Sequence, residues 1–343
     1  MKTKIVKIPK VVVAMSGGVD SSVSAALLKD AGFDVVGVMA KFWKDGEVSA
    51  ENRCCSIESE KLARLVANQL GIPFYVVNLE REFKKEVVDN FLAQYKKGNT
   101  PNPCVVCNKE IKFGLLLKKA EKMGADFLAT GHYVRIENEK LLKGKDKAKD
   151  QSYFLWQLNK KQFKKVLFPV GGYTKAQVRQ LAKEFNLPVA ETPESQEVCF
   201  IPDTANNFLK KYLKQKPGKI IDKTGKVVGS HQGLWFYTIG QRKGLDLPQG
   251  PWFVVAKDFK KNVLVVSKNK KDLYSKELKI KNINWIGKES ASVDVKIRYK
   301  SGFAKAKISG NKIIFQARQL AITPGQSAVF YKGNELLGGG IIQ

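Results

Sequence analysis

At 343 residues the chain is long enough for two or three domains, each able to bury a core. No run of about 18 apolar residues occurs, which excludes a membrane-spanning helix. The 60 Lys and Arg against 32 Asp and Glu leave a net charge of +28, a field that attracts polyanions, of which nucleic acid is the commonest soluble one.

The basic start, MKTKIVKIPK, runs straight into a strand and carries no signal-peptide core. Val11 to Met15 is a short apolar run ending at Gly17-Gly18, the pattern of a buried parallel strand. Asp20, Ser21 and Ser22 then open a helix with Val19, Val23, Leu27 and Leu28 at helical spacing, stopped by Gly32. A strand is predicted over 34–40, a helix with Leu62, Leu65, Val66 and Leu70 on one face, and a strand over 73–79. Phe83, Val87, Val88, Phe91 and Tyr95 mark another helix. A further helix is predicted over 109–122 and a strand over 126–130. This alternation predicts an α/β fold, an N-terminal open parallel sheet with helices on both faces.

Beyond about residue 205 the pattern changes. Gly and Pro punctuate short β-branched runs at 218–229, 252–258 and 262–268. Alternating apolar and polar residues then occupy 292–299, 304–310 and 327–333. That pattern predicts a small, mainly β central domain with antiparallel sheets, followed by a C-terminal β-barrel. The boundaries are placed at 1–205, 206–272 and 273–343. His231 opens HQGLWFYTIGQRKGL, expected to form a hairpin with basic edges. Lysines are scattered from 109 to 271 rather than massed in a tail, which predicts a broad basic face.

The segment AMSGGVDSS, 14–22, lies where a nucleotide site belongs, at the carboxyl end of a first strand and the start of a helix. Glycines let the backbone approach a phosphate. Helix-start amides and the hydroxyls of Ser16, Ser21 and Ser22 can donate to its oxygens. It is no Walker loop, since no Gly-Lys-Ser/Thr ends it. Gly-Gly alone is explained by a tight turn; the whole Ser-Gly-Gly-x-Asp-Ser in this position is not. His132, after Gly131 at a strand end, can serve either a phosphate or the packing.

Five cysteines are an odd number and too sparse for a disulfide scaffold, which fits a reducing cytoplasm. Two stand three apart in NTPNPCVVCNKEIKFG, 99–114. Cys104-x-x-Cys107 is half a zinc site, but no second Cys-x-x-Cys or histidine pair completes it. Cys107 is expected just ahead of a helix whose amino end, with Lys109, would favour a thiolate. Cys54-Cys55 match no motif and read as incidental.

Ser16-Gly17-Gly18-Val19-Asp20-Ser21 resembles the pyrophosphate loop of the N-type ATP pyrophosphatases, which split ATP into AMP and pyrophosphate. TPNPCVVCNKEIKFG resembles the corresponding loop of the bacterial tRNA-specific 2-thiouridylases. The likeness continues through ATGHY (129–133), KDQSYFL (149–155), EVCFI (197–201), GQRKGL (240–245), TPGQSAVFY (323–331) and LGGGII (337–342), in order along nearly the whole chain.

The resemblance implies an enzyme, a tRNA-uridine 2-sulfurtransferase acting on the wobble uridine, position 34, of tRNAs for Lys, Glu and Gln. It implies Cys107 as nucleophile and Cys199 as persulfide carrier, joined transiently as a disulfide. ATP contacts carry over to Ala14, Met15, Ser16, Gly17, Gly18, Val19, Asp20 and Ser21, to Ala40 and to Gly131, with Mg²⁺ as companion ion. Asn102, Pro103 and Cys104 match the base-contacting turn; Lys149, Asp150, Gln151, Arg298 and Tyr299 match RNA-contacting positions. Cys104 stands where a common form of the family has Asp. One alternative is therefore a [4Fe–4S] cluster on Cys104, Cys107 and Cys199, and another is a bystander thiol. A sulfur donor, such as a cysteine desulfurase or a sulfur relay protein, is the expected partner of a cytoplasmic monomer. The competing classes are an amidating synthetase for a small molecule and an RNA-binding protein with a dead ATP site. Neither accounts for both the charge and the intact loop.

Overall fold

The computed structural model describes residues 8–45, 56–193 and 198–343; Cys54 and Cys55 lie outside them. The chain divides into two units. The first comprises residues up to 87, 104–202 and 334–336, and the second comprises 88–103, 203–333 and 337–343.

In the first unit β1 (Lys10–Ala14), α1 (Val19–Asp30), β2 (Asp34–Lys41), α2 (Ile57–Gln69) and β3 (Phe74–Asn78) alternate as the sequence predicts. A helix beginning at Glu80 follows, and after it comes the cysteine-bearing helix over 103–122. Then come β4 (Phe127–Thr130), the hairpin of β5 (Val134–Glu137) and β6 (Lys140–Lys143), and the short β7 (Val166–Leu167). A helix over Lys175–Glu184 completes the series. The parallel sheet runs in the order β3-β2-β1-β4-β7. The order of addition reverses at β1, which puts the topological switch point between β1 and β4, and the carboxyl ends there are the usual ligand position in such sheets.

Val11, Val12 and Val13 are fully buried, as a central strand covered on both faces requires. Val11 and Val13 share one core with Val23 of α1, Val66 of α2 and Val178 of the helix Lys175–Glu184. Strand alternation turns Val12 and Leu128 to the other face, where the end of the 103–122 helix packs on β4. One expectation needs correcting. Leu65 is 54% exposed, because it lies one helical step outside the arc of Ser59, Ala63, Val66 and Ala67 through which α2 is buried.

The second unit contains the helix Ala205–Tyr212, β8 (Gly218–Asp222), β9 (Val227–His231), β10 (Phe253–Asp258) and β11 (Val263–Ser267). The sheet order is β10-β11-β8-β9, with β11 parallel to β8, so the sheet is not wholly antiparallel. The segment after His231 is not a hairpin. β9 and β10 are opposite edges of the sheet, so the chain between them must travel across it, beginning with a 3₁₀ turn over Leu234–Phe236.

β12 (Tyr274–Trp285), β13 (Ser292–Lys296), β14 (Ala304–Ser309), β15 (Lys312–Leu320), β16 (Ser327–Lys332) and β17 (Glu335–Ile342) follow. They form the expected barrel in the order β12-β15-β14-β13-β16-β17, closed by β12 on β17. β12 reaches both neighbours because register shifts after Ser275 and Lys281 bend it. Ile280, Val295, Phe315 and Phe330 fill the interior. Phe330, fully buried and 5.2 Å from the ring of Trp285, supports the closure. Phe330→Ala is expected to cost about 3–5 kcal/mol, read as a lower urea midpoint.

Candidate active site

β1 ends at Ala14, which pairs with Val38 of β2 and Thr130 of β4. That register places Ala40, two residues further along β2, and Gly131, one past β4, on either side of the loop starting at Met15. The nucleotide-contact candidates from 14 to 21, Ala40 and Gly131 are thus brought to one edge of the sheet. Met15 and Val19 turn their side chains into the core, at 2% and 4% exposure, and can offer a ligand only main-chain groups.

The loop is tightly determined. Gly17 has φ +76°, and a Cβ there would fall 2.3 Å from the carbonyl oxygen of Ser59. A Cβ on Gly131 would fall 2.8 Å from the amide nitrogen of Ser21. Ser16 N–H donates to Ser21 Oγ at 3.1 Å, and the hydroxyls of Ser21 and Ser22 each donate to Gly18 O at 3.0 Å. Ser16 is exposed at the mouth while Ser21 is buried below it.

Asp20 sits in the first turn of α1. Its Oδ1 accepts from Tyr133 Oη at 2.7 Å and from Lys175 Nζ at 2.6 Å. Lys175 is the first residue of its helix, after a Thr174–Gln177 capping box, and only 11% of its side chain is exposed. A cation is therefore held beside the phosphate loop from 155 residues away. Sequence reasoning missed it. The capping box marks the helix start, but nothing local says where that start points.

The 149–151 segment supports the same network. Tyr133 N–H donates to Gln151 Oε1 at 3.0 Å. The Asp150 carboxylate, buried, accepts from Gly144 N–H, Ser152 N–H and Ser152 Oγ. The side chains expected to meet RNA at 150 and 151 are thus engaged inside the protein and shape the segment. Lys149 is half-buried.

The cysteine loop departs from expectation in one respect. Its helix starts at Pro103, not near 109, so Cys104 lies in the first turn and Cys107 one turn in. Proline suits that first position, since its missing N–H would be unsatisfied anyway. From Cys107 to Leu116 the helix is π-wound. Gly114 fits the wider turn, for a Cβ there would lie 2.8 Å from Lys109 O, five residues back. Lys109 is exposed and paired with Glu110 at 2.9 Å, which partly offsets the charge expected to act on Cys107. Cys107 is buried, and Cys104 and Cys199 are half-buried. Beside Cys107, Asn108 donates to Phe154 O at 3.3 Å, while its buried Oδ1 has no partner among the described residues.

An aromatic hub links these parts. Phe42, just past β2, stacks on Phe83 with ring centroids 4.7 Å apart, and Phe200, next to Cys199, meets Phe83 edge-on at 5.9 Å. The Cys107–Leu116 stretch packs on the same turn, Glu80–Phe83. Among the described residues, no group of three or more His, Cys, Asp or Glu is arranged to hold a metal ion. Cys104 and Cys107 are carried by one helix and Cys199 by a separate turn.

In the second unit Asn102 is half-buried and Pro103 buried. Arg298, after β13, donates to Ala321 O and to Thr323 Oγ1, the latter at 2.7 Å. Tyr299 is half-buried with Lys296 Nζ 5.6 Å from its ring centroid.

His132 is a packing residue. It is buried between Phe113 and Phe168 and shares a 2.7 Å hydrogen bond through Nδ1 with Thr130 Oγ1. Burial, and then the charge of Lys112, hold its pKa well below 6.5. Below about pH 6.5 the unfolded chain binds a proton that the folded ring refuses. Stability is therefore intact above that pH and falls as the pH drops toward the folded value. His132→Gln is expected to flatten that limb in urea titrations between about pH 6.5 and 5. His231, also depressed by burial, would account for an unchanged limb. Gly131→Ala is expected to displace the start of α1 and weaken ATP binding by about tenfold or more, measured calorimetrically.

Comparison with known proteins fits this layout. A family model for a tRNA methyl transferase HUP domain matches residues 9–203, a tRNA methyl transferase PRC-barrel domain 206–268, and an aminomethyltransferase β-barrel domain 275–342. The tRNA-specific 2-thiouridylase MnmA of Thermus thermophilus is 46% identical, covering 97% of this chain and 95% of its own length. Those of Halothermothrix orenii and a Thermoanaerobacter species are 45% and 47% identical, each covering 97% of this chain, and 99% and 98% of the relatives. With identity sustained across all three matched regions, the chain belongs to the tRNA-specific 2-thiouridylase family.

Proposed function

We propose that this protein is an ATP-dependent tRNA-uridine 2-sulfurtransferase that converts the wobble uridine, position 34, of tRNAs for Lys, Glu and Gln into 2-thiouridine. The observation that carries this reading is the shared packing at Phe83. The edge of the phosphate-loop sheet, the Cys107 helix and the Cys199 turn all rest on one helical turn. A nucleotide site alone would serve many reactions; two thiol-bearing segments beside it favour sulfur transfer.

ATP phosphates would meet the amides at 17–21 and the Ser16 hydroxyl, with Lys175 as a nearby cation. Mg²⁺ would supply further neutralisation of the departing pyrophosphate. The C2 oxygen of uridine attacks the α-phosphate, pyrophosphate leaves, and C2 becomes electrophilic. The terminal sulfur of a Cys199 persulfide adds to C2. The Cys107 thiolate then attacks the inner Cys199 sulfur, breaking the S–S bond and leaving the transferred sulfur on carbon. The two thiols end as a Cys107–Cys199 disulfide, AMP departs with the former C2 oxygen, and the ring is left as 2-thiouridine. A reductant and a sulfur donor, a cysteine desulfurase or a relay protein, reset the enzyme.

The base would be held by Asn102, Pro103 and Cys104. Lys149, Arg298 and Tyr299, with the broad positive charge, would engage phosphate and stack on bases. In this reading 1–205 is the catalytic region, 206–272 the central domain and 273–343 the RNA-facing barrel of a cytoplasmic monomer. Persulfide chemistry is preferred to a [4Fe–4S] route because it requires two thiols to meet in turn, not three to sit together.

Cys107→Ser and Cys199→Ser are each expected to lower 2-thiouridine formation by at least about 10³-fold while ATP still binds. Nucleoside analysis of reacted tRNA reads the outcome; persistent thiolation in Cys107→Ser contradicts its role. Iron and sulfide bound after anaerobic purification, and lost with activity in Cys104→Asp, would favour the cluster instead.

A further inference from the structure

We propose that Lys257 is a positioning residue for the base-holding turn, acting by tying down Gly98, four residues ahead of Asn102. The inference rests on reading 102–104 as that turn, and the ties described below, from Lys257 to the 98–100 segment, lie within the second unit.

Lys257 projects from β10, and its Nζ donates to Gly98 O at 2.6 Å and to Tyr237 O at 3.0 Å. Both acceptors are main-chain carbonyls. Burial pushes this amine down to about 8, so a desolvated cation is kept where a shorter apolar side chain would avoid the cost. Gly98 closes the helix that ends at Lys96. It has φ +88°, its N–H donates to Tyr95 O at 2.8 Å, and a Cβ would fall 2.3 Å from the Phe259 ring. A cation bound to a carbonyl at a helix C-terminus is favourably placed.

The next residues are fixed as well. Thr100 N–H donates to Pro324 O at 2.8 Å, Gln326 Nε2 donates to Thr100 O at 2.8 Å, and the hydroxyls of Thr100 and Thr238 lie 3.1 Å apart. Gly325 approaches so closely that a Cβ would meet Asn99 Cβ at 2.7 Å. The chain then runs Pro101-Asn102-Pro103, where proline rings fix φ and restrict the preceding residues to extended backbone. Slack cannot be absorbed there. An anchor at Gly98 therefore carries through to Asn102, and Lys257 is the anchor's one charged member.

The test uses the full-length protein with tRNA, ATP and a sulfur source. Lys257→Met keeps the stem and removes the donor. It is expected to lower kcat for thiolation about tenfold or more while KM for ATP and for tRNA stays within about threefold. Amide exchange over 99–102 should rise, and Lys257→Arg should recover part of kcat. Unchanged kcat with unchanged exchange overturns the proposal, as does a loss confined to KM. Should Lys257→Met fail to fold, Thr238→Val removes the neighbouring tie without touching a buried charge. It is expected to raise exchange at Thr100 and lower kcat severalfold, and no change in either overturns the proposal. Absence of thiolation by the unmodified protein would overturn the functional reading instead, while the exchange measurement still decides whether Lys257 anchors the turn.

Discussion

Gly131 and the first turn of α1 are in such close contact that only a hydrogen atom fits between them. The end of β4 is thereby locked to the start of the helix that forms the phosphate loop, and Gly17 is locked to α2 in the same way through Ser59. Three elements thus share one corner. The register of β1 with β2 and β4 sets its position, and the Tyr133–Asp20–Lys175 network holds its charge. Removing Asp20 would take the carboxylate from a Lys175 side chain that is only 11% exposed, which costs more than the pair itself contributes.

The chemistry is coupled to that corner through aromatic packing. Phe42 carries the sheet edge to Phe83, and Phe83 carries it to Phe200 beside Cys199. The Cys107 segment meets the same turn in π-helical form, a winding frequent at functional sites. On the proposed route, ATP consumption and sulfur delivery occur around one rigid hub. Within the second unit, Lys257 and Gln326 give close support to the Gly98–Thr100 segment.

The sequence made the α/β alternation, the phosphate loop and the later change to β structure legible because each rests on local periodicity or a contiguous motif. It did not reveal Lys175, whose role depends on a partner 155 residues away. Nor did it reveal that Asp150 points inward, since a Lys-Asp-Gln run reads as surface until Gly144 and Ser152 are seen to claim the carboxylate. The helix start at Pro103 was misplaced because Pro-Cys-Val-Val has little helix propensity of its own. The parallel pairing of β11 with β8 and the exposure of Leu65 are likewise consequences of tertiary arrangement.

The central claim is that the uridine C2 oxygen is capped by AMP before sulfur arrives. Transfer RNA carrying heavy oxygen at C2 of the wobble uridine, reacted with ATP and a persulfide donor, tests it directly. Mass analysis of the released AMP should find the heavy oxygen in its phosphate, one atom for each 2-thiouridine made. Thiolation accompanied by AMP of ordinary isotopic composition would contradict the account.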